Sequence, residues 1–342
     1  MSKAKLKCPR CHSLKLFKFG KDKQGNQKYQ CKECKRQFAP SATPKERKLS
    51  KYPRCPLCGK LTYIHHDYPK YTRYKCSNRK CNHILVQVKA SAILHSSDHL
   101  IDGKNNFKGM RYPISVILNA LTLYFHNDSS TRRISEYFKI TMNIKVSHVT
   151  IASWTKKFAP IFKKIYDDIF SSIHLSDSDE WHADETVIFI NGKKHYLWLV
   201  IDSETRLIVS YHLTPSRNSD QAYTVLNSSK KLGTPNSIVS DRLPSYNQAV
   251  KNIFPTSKHI KVQSFRDDIS NNLIESFNKS FKYWYKRKKG FNSFKSANSL
   301  IFMFIFHYNF IRPHSSLSNL SPMEVAGAKF NSIEKSSWLL TA

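Results

Sequence analysis

The chain has 342 residues, enough for two to four domains, and its 40% hydrophobic content supports at least one sizeable core, which excludes a disordered protein. Its 56 Lys and Arg against 24 Asp and Glu leave a formal charge of +32, far more than solubility requires, and this points to a polyanionic partner, with nucleic acid the first candidate. The sequence holds no basic amphipathic anchor or lipidation motif, its most apolar run (Leu300 to Phe306) falls well short of the ~20 residues that span a bilayer, and Met1 to Lys7 lack the apolar core of a signal peptide, so a cytoplasmic protein is expected, nucleoid-associated if prokaryotic.

All eight cysteines lie within the first 81 residues, in four pairs. Cys8 and Cys11 are separated by nineteen residues from Cys31 and Cys34; Cys55 and Cys58 are separated by seventeen from Cys76 and Cys81. In a reducing compartment this spacing reads as two tetrahedral four-thiolate zinc sites rather than disulfides, with His65, His66 or His83 as alternative ligands in the second. A shell of four thiolates leaves no open position, so both Zn2+ ions are expected to be structural. Two zinc ribbons follow, at 1–45 and 50–92, joined by the linker Pro40 to Pro53, which carries Ser41, Thr43, Pro44, Lys45, Arg47, Lys48, Ser50 and Lys51. Basic and aromatic residues interleave in both: Lys15, Phe17, Lys18, Phe19 and Lys21, then Tyr68, Lys70, Tyr71, Arg73, Tyr74 and Lys75. These rings read either as a nucleic-acid surface or as the filling of a small core.

From 110 to 172 the periodicity is helical. Ile114, Ile117, Leu118, Leu121 and Phe125 mark one helix, ended by Asn127-Asp128-Ser129; Ser130 can cap a second over Thr131 to Phe138, with Arg132 and Arg133 on it. Ser147 can cap a third that starts with His148 and Thr150 and offers Val149, Ala152 and Trp154 for packing. With this charge, a helix-turn-helix fits better than a plain three-helix bundle, and Arg132, Arg133, Ser147, His148 and Thr150 become candidate DNA contacts.

After Ser176-Asp177-Ser178-Asp179 the pattern changes to strands. Asp184 to Ile190 and His195 to Ile201 form a hairpin about Asn191-Gly192; a strand over Arg206 to His212 follows the turn at Asp202. Ser219 caps a helix running to about Leu232 and closed by Gly233. A short buried strand, Ser237 to Asp241, leads to a helix from Pro244 and a strand around Ile260. From Ser270 a helix carries an apolar stripe of Ile274, Phe277, Phe281 and Trp284 and a polar row of Asn272, Glu275, Asn278, Lys279 and Lys282. This order matches an α/β fold with an RNase H-like mixed sheet flanked by helices, at 178–330.

The same residues resemble an insertion-sequence DDE transposase, nearest the insertion sequence six type. The likeness is carried by Trp181-His182-Ala183-Asp184-Glu185-Thr186, Ser240-Asp241-Arg242 and Asn272-Leu273-Ile274-Glu275, with 33 residues between Asp241 and Glu275. Lys282 matches the basic residue two turns beyond the family's glutamate. Gly290-Phe291-Asn292-Ser293-Phe294, Tyr308 to His314 and Ser321-Pro322-Met323-Glu324 resemble its later segments. The resemblance implies that Asp184, Asp241 and Glu275 hold two Mg2+ (or Mn2+) ions, hard cations that select carboxylates, for cleavage and joining of phosphodiesters. Lys282 and Lys279, with Arg217 and Arg242 beside the strand ends, are then candidate phosphate contacts. Glu185 is expected on the opposite sheet face in a structural role, Asp202 in a turn, Asp267 and Asp268 at a helix start, and His182, His195 and His307 in packing or at a polar surface.

The function expected is a DNA transposase that binds terminal inverted repeats and target DNA, acting as a homodimer or higher oligomer because two ends must be brought together. The rivals are a non-catalytic zinc-dependent DNA-binding regulator derived from such an element and an RNase H-like nuclease.

Overall fold

The computed structural model describes residues 6–21, 25–40, 52–68, 71–89, 100, 103–175, 178–262 and 272–340. Asp267, Asp268, Ser270, Asn271, Lys70, Ser176, Asp177 and most of the Pro40 to Pro53 linker lie outside the described residues. The chain divides into two compact units, Met1–Pro53 and Arg54–Ala342.

The first unit is a three-stranded antiparallel sheet: β1 (Leu16–Lys21), β2 (Gln27–Cys31) and β3 (Gln37–Phe38), in that order. Such a sheet buries too little to fold by burial alone: β1 is largely exposed, and β2 is half-buried apart from the buried Cys31. The second unit begins with a matching sheet, β4 (Thr62–Asp67), β5 (Tyr71–Cys76) and β6 (Ile84–Val88). Here β5 is buried at both ends, and Tyr71 joins the main hydrophobic core, stacking on Tyr68 at 4.6 Å and on Tyr223 at 4.6 Å.

Helices α1 (Ile114–Phe125), α2 (Thr131–Met142), α3 (His148–Lys157) and α4 (Ala159–Phe170) follow. Ser130 and Ser147 cap α2 and α3 as expected, accepting from the backbone N–H groups of Arg133 and Thr150. The packing stripe of α3 differs from expectation. Ile151, Trp154 and Thr155 are buried, whereas Val149 is 65% exposed. Positions 151, 154 and 155 share one face, and 149 lies about 200° from 151 at 100° per residue, so both cannot face the core.

The central sheet has β7 (Glu180–Ile190), β8 (Lys193–Asp202), β9 (Ile208–Thr214), β10 (Ser237–Ser240) and β11 (Lys258–Lys261), in the order β11-β10-β7-β8-β9. β7 to β9 form an antiparallel meander, and β10 and β11 run parallel to β7. That order and those directions make it an RNase H-like mixed sheet. The β7–β8 corner needs two left-handed residues, which Asn191 (φ 49°) and Gly192 (φ 71°) supply. Arg206 lies in the turn before β9, also left-handed at φ 61°.

α5 (Ser219–Ser229) starts from Asn218, one residue before the expected cap, and ends in a short 3-10 turn at Gly233. It packs with α6 (Pro244–Ile253) on one sheet face. α7 (Asn272–Arg287) lies on the other, turning Ile274, Phe277, Phe281 and Trp284 into the core. The apolar run flagged in the sequence is part of α8 (Phe294–Phe306), which is buried from Ala297 onward and packs against α3 and α4. A π turn at His307–Ile311 then points Asn309 at β9, where its amide accepts from Ile208 N–H at 3.0 Å and donates to Ile208 C=O at 3.1 Å. Short helices α9 (Pro322–Val325) and α10 (Ser332–Ser337) complete the chain, each with a capping box.

Candidate active site

The ladder between β7 and β10 ends at Ala183 opposite Ser240, so the next residue on each strand, Asp184 and Asp241, emerges at the same sheet edge. Asp184 faces α7, where Asn278 donates an amide N–H to its Oδ2 at 2.8 Å. Glu185, next along the strand, points to the opposite face and accepts from the Tyr246 hydroxyl of α6 at 3.1 Å. It nevertheless belongs to the cluster. Asp184, Glu185 and Asp241 each offer a carboxylate oxygen within 4.8 Å of the others.

Glu275 lies in the first turn of α7 and lines a cavity of about 540 Å³ together with Asp184 and Glu185. Lys279, Lys282, Tyr283 and Lys286 line the same cavity, one helical row on the α7 side. Anionic ligands at the strand ends thus face a row of cations across an opening. Burial pushes the Asp184 carboxyl up to about 7, and the negative charges of Glu185, Asp241 and Glu275 push in the same direction. Glu185 is also raised by burial, against the opposing pull of Arg217. A site that penalises uncompensated negative charge in this way suits a multivalent cation.

Of the other candidates, Arg217 lies against Glu185, donating from Nε at 2.6 Å, and Arg242 is exposed beside Asp241. Arg132, Ser147 and His148 line a groove between α2 and α3 of about 600 Å³, together with Lys139 and Lys145. Arg133 is exposed on α2, and Thr150 is hydrogen-bonded to Ser147. Asp202 is fully buried and caps its turn, accepting from Thr205 N–H at 2.8 Å and from Ser178. His182 is buried beside Glu180, and His307 is buried beside His126 at 3.2 Å. Asn278, Tyr246 and Lys286 went unnoticed as site residues; the first and last continue the polar row of α7, a signal present in the sequence, whereas nothing local marks Tyr246.

The eight thiols gather as two groups of four. Sulfurs on a tetrahedron with bonds of ~2.3 Å are separated by roughly 3.8 Å. Here the closest pairs are Cys8–Cys34 and Cys11–Cys31 at 3.5 Å, Cys55–Cys81 at 3.7 Å and Cys58–Cys76 at 3.4 Å, so both sets fit a zinc ion.

Residues 178–314 match the family model of a DDE domain, and residues 1–35 that of the InsA N-terminal domain. Two transposases of Staphylococcus aureus, that of insertion sequence-like element IS431mec and that of IS257 in transposon Tn4003, are each 28% identical over 194 residues, 56% of this chain and 84% of theirs. Over residues 178–314 the chain is similar to the DDE domain of insertion-sequence transposases. That domain's polynucleotidyl-transfer chemistry implies a divalent metal and DNA as partner. Solved integrase cores are similar over less than half the chain: the HTLV-2 catalytic core in complex with magnesium, at 15% identity and TM-score 0.35 over 45% of this chain and 99% of that one, and the BIV core, at 16% and 0.35 over 44% and 93%. The fold assignment rests on strand order and direction, not on those superpositions. Among the described residues, no helix is long and apolar enough to cross a membrane.

Proposed function

We propose that the protein is a DNA transposase that binds the terminal inverted repeats of its element and joins their 3′ ends to target DNA. The observation that carries this reading is that Asp184 belongs both to a close carboxylate cluster with Glu185 and Asp241 and to a cavity that it lines with Glu275 and the Lys279, Lys282 and Lys286 row. Asp184, Asp241 and Glu275 would hold the divalent ions, Mg2+ or Mn2+. Bound there, the ions would activate a water or 3′ hydroxyl and stabilise the leaving oxygen. Asn278 orients Asp184 by its hydrogen bond, leaving the second carboxylate oxygen for the cation. Lys282 and Lys279 contact the phosphates of the strand being joined, while Arg132, Arg133, Ser147, His148 and Thr150 read the duplex in the α2–α3 groove. The helix-turn-helix region is tied to the catalytic helix: at the end of α7, Arg287 donates to Asp128 C=O at 3.4 Å and Lys288 to Ser129 C=O at 3.3 Å, just before α2. Lys288 also lies 3.5 Å from the centre of the Tyr124 ring, and burial lowers its pKa to about 8. Bound DNA would therefore be set in register with the carboxylates. Synapsis of two ends calls for at least two subunits.

The test is a joining assay with a labelled element end, target DNA and Mg2+. Joined product that disappears with EDTA is expected; tight binding of the end without any joining rejects the transposase in favour of the regulator, and cutting without joining favours the nuclease.

A further inference from the structure

The crowding of Asp184, Glu185 and Asp241 needs a counter-charge. Three carboxylates within 4.8 Å repel one another, and solvent screens Glu185 poorly, its side chain being only 3% exposed. Two groups hold it: the fully buried Tyr246, whose hydroxyl donates at 3.1 Å, and Arg217, whose Nε donates at 2.6 Å and whose Nη2 reaches the same carboxylate oxygen. That Nη2 also lies 3.9 Å from Asp241 Oδ2. Arg217 comes from the stretch between β9 and α5, so it reaches the cluster from the Glu185 face, opposite α7 and its lysines. Its side chain is 42% exposed, leaving the guanidinium free to swing outward.

We propose that Arg217, anchored by Glu185, is a charge placeholder in the carboxylate cluster, which a divalent cation must displace from Asp241. The inference rests on the reading of Asp184, Asp241 and Glu275 as the metal-binding set. A guanidinium does not lose its proton in proteins, so it cannot be neutralised when the cation arrives; it must move. The arrangement keeps the free site from repelling itself apart, and it weakens metal binding until the cation supplies the charge. Glu185 is then a positioning residue: it touches neither DNA nor the reacting atoms but holds Arg217 where it competes.

The experiment titrates Mn2+ alone into the full zinc-loaded chain without DNA, reading free Mn2+ by electron paramagnetic resonance. Wild type binds, and Asp184→Asn does not. Arg217→Gln binds about tenfold more tightly, because a unit charge a few ångströms from a dication at a half-exposed site is worth at least that. Arg217→Lys, which keeps the charge, stays near wild type. Equal or weaker binding by Arg217→Gln overturns the placeholder while leaving the metal site standing; absence of Mn2+ binding by wild type, or equal binding by Asp184→Asn, overturns the metal site and the placeholder with it. A second measurement needs no variant. Phenylglyoxal should modify Arg217 faster with Mn2+ present than without, and an unchanged or slower rate contradicts displacement.

Discussion

The two ribbons share a scaffold and a ligand set but put their rings to different uses. In the first, Phe17 and Phe19 are each 39% exposed and form an edge-to-face pair at 6.1 Å, with Lys28 over the Phe19 ring at 5.6 Å. In the second, Tyr71 is 7% exposed and sandwiched between Tyr68 and Tyr223 of α5, within the core of the catalytic sheet. Zinc bound in the first ribbon would therefore shape an open basic and aromatic surface, whereas zinc bound in the second would hold a ring docked on the sheet. The same ligand set thus supports exposed rings in one ribbon and a buried ring in the other.

The strongest way to break this contrast is to remove one ligand from each ribbon. Structural zinc contributes roughly 10 to 16 kcal/mol to the folding of small zinc domains, so either loss should unravel its own ribbon. Cys76→Ser should also lower the melting temperature of the catalytic unit, because the Tyr71 stack goes with the ribbon; Cys31→Ser should leave that temperature unchanged and weaken binding of the element end. Differential scanning calorimetry beside a DNA-binding titration measures both, and equal thermal effects would erase the distinction.

A smaller change sharpens it. Tyr71→Ala removes the buried ring but keeps the zinc, and should cost about 3 kcal/mol, a fall of roughly 6 to 12 °C. Phe19→Ala should not shift the melting temperature, but should weaken end binding by about fivefold, the low end of what a stacked base contributes.

The sequence could not separate these two faces, because interleaved basic and aromatic residues read alike whether the rings meet DNA or another domain. The catalytic cluster was far more legible. Periodicity placed Asp184 on a hairpin strand, Asp241 at the end of a short buried strand and Glu275 on the polar row of an amphipathic helix; only the resemblance to DDE transposases joined them as one set. Glu185 was harder: strand alternation correctly sends it to the face opposite Asp184, but alternation says nothing of a carboxylate that still comes within 4.8 Å of the cluster where the β10 ladder stops. Nor could it pair Glu185 with Tyr246, 61 residues away. Val149 was misjudged because at 100° per residue it lies about 140° from Trp154, so the two could not share the buried face that Ile151, Trp154 and Thr155 form.

A separate expected effect concerns the central carboxylates and serves as the reference for both ribbons. With Asp184 raised from the ordinary 3.8 to about 7, chiefly by burial, the folded state keeps a proton that the unfolded chain gives up. Its contribution to stability is fully present below about 3.8 and is lost as pH rises toward 7. In EDTA, Asp184→Asn should gain melting temperature over wild type across that window and hold a constant advantage above it, with neither ribbon involved. A difference independent of pH would contradict the raised carboxyl.

The most direct test of the account is Glu275→Gln, assayed in parallel for binding of the element end and for joining to target DNA. Joining should fall by at least about 100-fold, since loss even of a ligand's supporting partner costs 10 to 100-fold, while binding stays within a factor of two or so of wild type. Equal loss of both, or joining that persists, would contradict Glu275 as the third carboxylate of the transposase site.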